Sequence, residues 1–307
     1  MIVVYRFFNE QIETSFNIPE LYSAEGSAAS VRVAIAPGEC KLGDFLRDLE
    51  LADGTRWAIL RRNASAFQIE LPGTATFILS RDGRTVDCHP EPSLPHDTFR
   101  HLLLNQVLPF AFAQAGAVVL HASGVVIGDR AIAFLGPAGA GKSTLAAKLG
   151  RRSAVLSDDA LRLTQAGTDF TAVGSYADLR LWRDSVEQLL PPGATEKVLA
   201  HFSDKQHTNR AFHFETRPTQ LARIYLLTPA DELAVESVAP TDAVISLIGN
   251  AYRLDLDDHA RLAADQRFFA GIVSGGLVRR LRFAHRFSEL EALQRMILED
   301  LRAGGVH

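Results

Sequence analysis

The segment Gly136 to Ser143 has the residue types and spacing of a loop that binds nucleotide phosphates. Its sequence, GPAGAGKS, matches the pattern GxxxxGK[ST], in which glycines let backbone N–H groups converge on phosphate oxygens. Lys142 would neutralise the β- and γ-phosphates of ATP, and the Ser143 hydroxyl would ligate Mg²⁺. The alternative is a glycine-rich turn that caps a helix by chance. The expected nucleotide-binding residues are Gly136, Pro137, Ala138, Gly139, Ala140, Gly141, Lys142, Ser143 and Thr144.

A pair of aspartates, Asp158 and Asp159, follows the apolar run 154–156 and lies 16 and 17 residues after Lys142. A strand ending there would deliver both carboxylates to the phosphate end of a nucleotide-binding sheet. One carboxylate can hold the metal while the other takes the proton from an attacking hydroxyl. We expect Asp159 to join Ser143 at the metal and Asp158 to accept the proton, although the residues alone leave this division open. The other interpretation is a solvated turn or a helix cap.

His121 lies 21 residues before Lys142, at the end of a predicted strand. A lone histidine in such a place is more often structural than catalytic. The surrounding sequence predicts a β-hairpin, with strands in AVVLHAS, GVVIG and AIAFLG and a turn at Gly128-Asp129, that runs directly into the loop. The apolar positions of STLAAKLGRR predict a helix after the loop.

The rest of the chain predicts a mixed α/β protein of two domains. Five short runs before residue 94 are typical of strands and predict a β-rich N-terminal domain, 1–94. The proline-rich stretch CHPEPSLPHDT marks the boundary to a second domain, 95–307. In that domain we expect a helix capped by Asp97 or Thr98, helices over 241–254 and 258–273, and a last helix from Ser288, where Glu291 would complete a capping box. VRRLRFA alternates like a strand.

Composition excludes several classes of partner. The chain has 307 residues, 47% of them hydrophobic, which is ample material for buried cores. Its formal net charge of −4 gives no strong field for nucleic acid or anionic lipid. No apolar run approaches the roughly 20 residues needed to span a bilayer, and the N-terminus lacks the features of a signal peptide. We therefore expect a cytoplasmic protein, with Cys40 and Cys88 as free thiols; its oligomeric state is left open.

The order of these features resembles one family. A histidine-bearing strand, a hairpin into GxxxxGKS, a helix, and a strand ending in Asp-Asp are the pattern of the HPr serine kinase/phosphorylase family, whose fold is similar to that of phosphoenolpyruvate carboxykinases. The resemblance implies that His121 and Lys142 contribute to the active site, that Ser143 binds Mg²⁺, and that an aspartate of the pair exchanges a proton with a substrate serine. It covers 117–185 most closely and does not reach the first 94 residues.

Some residues depart from the family pattern. Thr144 stands where the bifunctional enzymes usually carry glutamate, and Arg180 stands at the place of a metal-binding glutamate. The late signature containing arginine and glycine is missing. These departures weigh against phosphorylase activity and the usual hexamer. The stretch LRLW and the later SDKQ look more like HPr-kinase-related proteins encoded beside lasso-peptide genes, some of which phosphorylate a precursor peptide. Arg180 and Lys205 could be positive clamps for the transferred phosphate, or simple surface charges.

The function expected from these residues is transfer of the γ-phosphate of Mg-ATP to a serine hydroxyl of a peptide or protein. A nucleotide-binding regulatory module without turnover, and a kinase of a small hydroxylated metabolite, are the alternatives. Three other groups are expected to be structural. They are solvated loop histidines (His201, His207 and His213), a wet edge-strand face (Arg279, Arg280, Arg282 and Arg286), and packed tryptophans (Trp57 and Trp182).

Overall fold

A computed structural model describes residues 2–26, 29–37, 43–50, 54–194, 198–200, 203–208 and 211–305. Cys40 and His201 lie outside these ranges. The chain contacts divide the protein into two units, one of residues 1–119 with 252–255, the other of residues 120–251 with 256–307. The expected boundary near residue 94 falls within the first unit, so the assignment of separate roles to 1–94 and 95–307 stays a prediction.

The first unit is built on an antiparallel-rich sheet. Its strands are β1 (Val3–Phe7), β2 (Glu10–Thr14), β3 (Val31–Ile35), β4 (Asp44–Glu50), β5 (Arg56–Arg62), β6 (Ala66–Leu71), β7 (Ala75–Ser80) and β8 (Thr85–Pro90). They pair in the order β1-β2-β3-β8-β7-β6-β5-β4. Alternating burial along β7 shows why the sequence forms this strand: Ala75, Phe77 and Leu79 face the core, while the residues between them are half-buried.

Helical residues complete the core of this unit. They form α1 (His96–Leu102), a π-helical stretch (Leu103–Val107) and α2 (Leu108–Gln114), and β9 (Val118–Leu120) follows them. The ring of Phe112 lies 5.5 Å from that of Phe7, and Phe99 stacks on Phe77 at 6.0 Å. The expected side-chain cap at Asp97 or Thr98 is wrong, because the helix begins after Pro95, a residue with no side-chain donor or acceptor. Cys88 is a buried free thiol, and burial raises its pKa.

The second unit contains a large mixed sheet, which confirms the expected mixed α/β class. Its elements are β10 (Ser123–Ile127), β11 (Arg130–Leu135), α3 (Lys142–Gly150), β12 (Ala154–Ser157), β13 (Leu161–Ala166), β14 (Asp169–Gly174), β15 (Arg180–Leu181), α4 (Arg183–Leu189), β16 (Val198–Ala200), β17 (Ser203–His207), β18 (His213–Phe214), β19 (Thr219–Pro229), β20 (Ala234–Ser237), α5 (Pro240–Gly249), α6 (His259–Ser274), β21 (Val278–Phe283), a 3₁₀ turn (Phe287–Glu289) and α7 (Leu290–Ala303).

The sheet of the second unit runs in the order β18-β12-β10-β11-β19-β14-β13, and β21 pairs with both β19 and β20. β15, β17 and β16 form a separate small sheet in that order. Apolar side chains of β11, α3 and α7 share one core, whose fully buried members include Phe134, Ala146 and Ile297. Burial of these side chains against the sheet provides the main stabilisation of the framework that carries the candidate site.

Three further sequence expectations are wrong. β21 is not an edge strand, because β19 and β20 pair with it on its two sides, and Arg282 pairs with Glu236 of β20. The expected capping box at Ser288 is replaced by a 3₁₀ turn, and α7 begins at Leu290 without a side-chain cap. Trp182 is 49% exposed rather than packed in a core.

Within the described ranges, the helices are too short or too polar to cross a membrane.

Candidate active site

The loop of residues 136–141 joins the end of β11 to the start of α3. Gly139 and Gly141 have φ angles of 78° and 89°, in the left-handed region that glycine adopts at little cost. At Gly136 a Cβ would lie 3.0 Å from the Cβ of Ala140, so that neighbour would have to shift. In the part of the chain that the structure describes, no side chain caps the N-terminus of α3. The loop therefore leads into a helix start of the kind that binds phosphate groups.

Lys142 folds back over this loop. Its Nζ donates hydrogen bonds to the carbonyl oxygens of Gly136, at 2.8 Å, and Pro137, at 3.2 Å. Burial lowers the pKa of Lys142 to about 8, Asp158 opposes this shift, and Lys205 adds to it. The ammonium group is thus held at the loop in a site that resists its charge, and an incoming phosphate would favour the charged form.

Strand directions bring three parts of the candidate site to one edge of the sheet. β10 runs antiparallel to both β11 and β12, so its start lies at the edge where those two strands end. His121 lies two residues before β10, the loop follows β11, and Asp158 follows β12. The expected hairpin of β10 and β11 is present. Its physical role is to place His121 beside the loop and the aspartate pair.

Asp158 is almost completely buried, with 1% of its surface exposed. Its Oδ2 accepts a hydrogen bond from the main-chain N–H of Arg180 at 3.2 Å. The Ser123 hydroxyl lies 2.6 Å from the Asp158 carbonyl oxygen and 3.0 Å from Oδ1, and its one proton can be donated to either. The carboxylate is therefore anchored to the start of β10 and to β15, and it keeps capacity to accept a further proton donor.

Asp159 is bound differently from Asp158. Its Oδ2 accepts a hydrogen bond from Nη2 of Arg180, whose side chain is only 8% exposed. The same guanidinium lies beside Asp178, with 3.1 Å between Nε of Arg180 and Oδ2 of Asp178. Arg180 thus contacts the side chains of two aspartates and, through its backbone, that of Asp158. A role as a phosphate clamp would require it to leave these carboxylates.

Sequence reasoning missed Asp178 and misread His207. The prediction of a solvated loop histidine at 207 is wrong, because His207 lies in β17, is 7% exposed, and its Nδ1 is 2.9 Å from Oδ1 of Asp178. The Tyr176 hydroxyl donates to Oδ2 of Asp178 at 3.0 Å. A usable signal was present in ADLRLW, since alternate residues of an extended segment share a face and place Asp178 beside Arg180. His213, the other described histidine of that group, is exposed as expected.

Lys205 lies in β17, two residues before His207. Its Nζ is 5.8 Å from the centre of the Trp182 ring, within the usual cation–π range of about 6 Å. Burial lowers the pKa of Lys205; Asp158 and Asp178 oppose that shift, and Arg180 reinforces it. Lys205 is therefore not a simple surface charge, because it belongs electrostatically to the aspartate cluster.

His121 is exposed to solvent, although neighbouring protein atoms surround much of its side chain. Its ring is exposed, yet desolvation together with the charges of Lys142, Lys205 and Arg180 lowers its pKa to about 3, against the attraction of Asp158. Both observations fit a side chain in a concave surface. The lowered pKa makes His121 neutral near pH 7 and able to offer one nitrogen as a donor and one as an acceptor.

The predicted site residues therefore share one electrostatic environment. The pKa values of His121, Lys142 and Lys205 are all lowered overall, and the negative charge of Asp158 opposes the lowering at each of them. The Ser143 side chain is half-buried at the start of α3, and Thr144 Oγ1 lies 3.1 Å from the Ser185 hydroxyl. Thr144 is thus tied to α4, and Ser143 follows directly on Lys142 in the first turn of α3.

The residues fit a magnesium ion only in part. Mg²⁺ prefers oxygen ligands and usually keeps several waters alongside one or two protein groups and substrate phosphates. Ser143 satisfies that requirement, whereas the Asp159 carboxylate already binds Arg180. Within the described ranges, no group of three or more histidine, cysteine, aspartate or glutamate residues could hold a metal ion. Metal binding by Asp159 stays a prediction.

Comparison with known proteins finds similarity only at the level of solved structures, of which 56 chains match. Neither a family model nor a curated protein matches the chain. Among solved structures, the Hpr(Ser) kinase/phosphatase from Coxiella burnetii is similar to it, with 13% sequence identity and a TM-score of 0.31, over 60% of this chain and 97% of that one. At that TM-score the likeness supports no assignment of residue roles. The link to lasso-peptide clusters finds no support in these comparisons.

Proposed function

We propose that this chain transfers the γ-phosphate of Mg-ATP to a hydroxyl group, with serine on a peptide or protein as the favoured acceptor. The observation that carries the proposal is the meeting of a phosphate-type loop, its buried lysine and a buried carboxylate at one sheet edge. A pure structural loop has no need for a buried ammonium whose pKa is lowered to about 8.

Each residue has a role that its contacts support. The loop N–H groups and the start of α3 bind the phosphates, and Lys142 leaves its two carbonyl partners to neutralise them. Ser143 holds the magnesium ion, which supplies charge neutralisation at the phosphates when bound. Neutral His121 forms hydrogen bonds to the bound substrate at the edge of the site. Lys205 is the favoured positive clamp, because Arg180 is engaged with carboxylates.

Asp158 is the favoured acceptor of the proton from the attacking hydroxyl. The Asp159 carboxylate is instead bound to a guanidinium and would have to leave it to receive a proton from the acceptor. The anion of Asp158 is held by weaker donors, a hydroxyl and a main-chain N–H. General-base catalysis of this kind contributes typically about 10²- to 10⁴-fold to a rate.

A second candidate function has its own support. The pairing of Asp159 with Arg180 and the 1% exposure of Asp158 also suit a nucleotide-binding regulatory module without turnover. A kinase of a small hydroxylated metabolite would use the same residues with a more compact acceptor site. A lasso-peptide precursor is one peptide acceptor among those to be tested.

One experiment separates these functions. The full chain is incubated with Mg-ATP and a library of serine peptides that includes precursor-type sequences. Mass spectrometry then measures gain of a phosphoryl group, and fluorescent-nucleotide titration measures binding. We expect phosphorylation that disappears with Lys142→Met and with serine-to-alanine acceptors. Nucleotide binding without transfer to peptides, small alcohols or water would favour the module, and failure to bind nucleotide would refute both.

A further inference from the structure

Arg180 organises three carboxylates at once. Its guanidinium bonds to Asp159 through Nη2 and approaches Asp178 through Nε at 3.1 Å, and its main-chain N–H donates to Asp158. The side chain is 8% exposed, and the Asp178 side chain is 3% exposed. In this buried ion triplet, removal of the guanidinium would leave two carboxylates without their counter-ion, which is costly.

A second layer holds this triplet in place. Asp178 accepts from the Tyr176 hydroxyl at 3.0 Å and lies 2.9 Å from Nδ1 of His207. His207 and Arg180 are direct partners in the pairing of β15 with β17. Both oxygens of Asp178 thus have neighbours other than Arg180. These contacts hold the carboxylate in place, so Arg180 could not move outward without losing its contact with Asp178.

Three lysine or arginine side chains and three aspartates occur together in this part of the protein. The cations are Lys142, Arg180 and Lys205, the anions are the three aspartates 158, 159 and 178, and His121 is neutral near pH 7. A divalent ion placed on Asp159 would lie next to a buried guanidinium, where like charges repel. Triphosphate brings about four negative charges of its own, so a metal that arrives on the nucleotide avoids this penalty.

We propose that Arg180 is the resident cation of Asp159 and Asp178 and takes the place of a carboxylate-bound metal ion. A divalent metal then binds together with nucleotide phosphates, on the side of Ser143, and not on the carboxylates of the free protein. The nucleotide part of this proposal rests on the proposed function. In this arrangement Asp178 and His207 are positioning residues, since they act on the site through Arg180.

Manganese binding tests the proposal, because Mn²⁺ can be counted by electron paramagnetic resonance without any turnover. In the free wild-type chain we expect no tight Mn²⁺ site, and with a non-hydrolysable ATP analogue a single tightly bound ion. Arg180→Gln should gain nucleotide-free Mn²⁺ binding, with affinity at least about tenfold above wild type, because two buried carboxylates lose their counter-ion. Arg180→Lys keeps the charge and should stay close to wild type.

Matched variants make the outcome decisive. Arg183→Gln removes an exposed arginine paired with Glu187 and should leave Mn²⁺ binding unchanged. Asp159→Asn should leave the Mn²⁺ affinity of the nucleotide complex within about twofold of wild type, and this arm decides the matter if Arg180→Gln fails to fold. Tight Mn²⁺ binding to the free wild-type chain that Asp159→Asn abolishes would overturn the proposal. A chain that binds no nucleotide would refute the proposed function. The Mn²⁺ measurements made without nucleotide would still test the role of Arg180.

Discussion

Replacing Asp158 with asparagine tests the electrostatics of the site directly. The substitution keeps the shape of the side chain and removes a negative charge that raises the pKa values of Lys142, Lys205 and His121. Loss of a nearby opposite charge lowers the pKa of a lysine, typically by about one unit or more. The pKa of Lys142, about 8 in the wild type, should therefore fall toward about 7 in the variant.

This shift has a calculable consequence for nucleotide binding. At pH 7.5 a lysine of pKa about 8 is about three-quarters protonated, and one of pKa about 7 is about one-quarter protonated. The ATP affinity of Asp158→Asn should therefore increase more steeply from pH 7.5 to pH 6.5 than that of the wild type, because the ammonium form is restored over this range. Loss of a catalytic base would persist at both pH values and lower transfer by about 10²- to 10⁴-fold. The two effects are separable by pH alone.

The assay combines two measurements on the free chain and its complex. Amine labelling followed by peptide mass spectrometry, repeated across pH, gives the pKa of Lys142, and nucleotide titration gives affinity. Asp178→Asn is the matched control: Asp178 raises the pKa of Lys205, while the charges acting on Lys142 are Asp158 and Lys205. The control should lower the pKa of Lys205 and affect Lys142 less. An unchanged or higher pKa of Lys142 in Asp158→Asn would refute the reasoning.

Two further predictions follow from the loop. Lys142→Met should abolish nucleotide affinity yet raise the melting temperature at pH 7, because the folded-state pKa of about 8 lies below the ordinary 10.5. The lowered pKa of Lys142 reduces the free energy of unfolding by up to about 3 kcal/mol below pH 8, and this cost vanishes as the pH rises through 10.5. A stability gain of Lys142→Met that persisted above that pH would contradict this explanation. Gly141→Ala and Gly167→Ala both place a Cβ at positive φ, 89° and 63°. Each should lower the free energy of unfolding, measured with urea, by about 1–2 kcal/mol. Only Gly141→Ala should weaken nucleotide binding. Equal binding by both variants would argue against the loop as the phosphate site.

The local parts of the candidate site could be predicted because their signals are contiguous. The loop pattern, the apolar run before Asp158 and the turn at Gly128-Asp129 each set the structure of their own segment, and the direction of β10 then follows from the hairpin. Short-range patterns of this kind specify strand ends well. They also place His121 near Lys142, because the start of an antiparallel strand lies at the end of its neighbours.

The remaining parts depend on pairings that no local pattern encodes. The sequence around His207 is polar and is typical of a loop. In the structure His207 pairs with Arg180, 27 positions earlier, in the two-residue strand β15. No local pattern encodes that pairing. β21 was misread as an edge strand because the run VRRLRF alternates like one, while β20 and β19 cover both of its sides. Trp182 was expected inside on composition alone, yet it is 49% exposed beside Lys205.

Arg180 shows why residue type alone could not settle its role. An arginine near a phosphate loop is ordinarily interpreted as a clamp, because guanidinium matches phosphate oxygens. The same geometry matches carboxylates equally well, and here two carboxylates and a strand pairing hold it before any phosphate arrives. Because the partners of Arg180 are themselves fixed by Tyr176 and His207, a phosphate would have to compete with a buried ion triplet for this arginine. Lys205, whose Nζ lies 5.8 Å from the centre of the Trp182 ring, is therefore the cation to test first as the phosphate clamp.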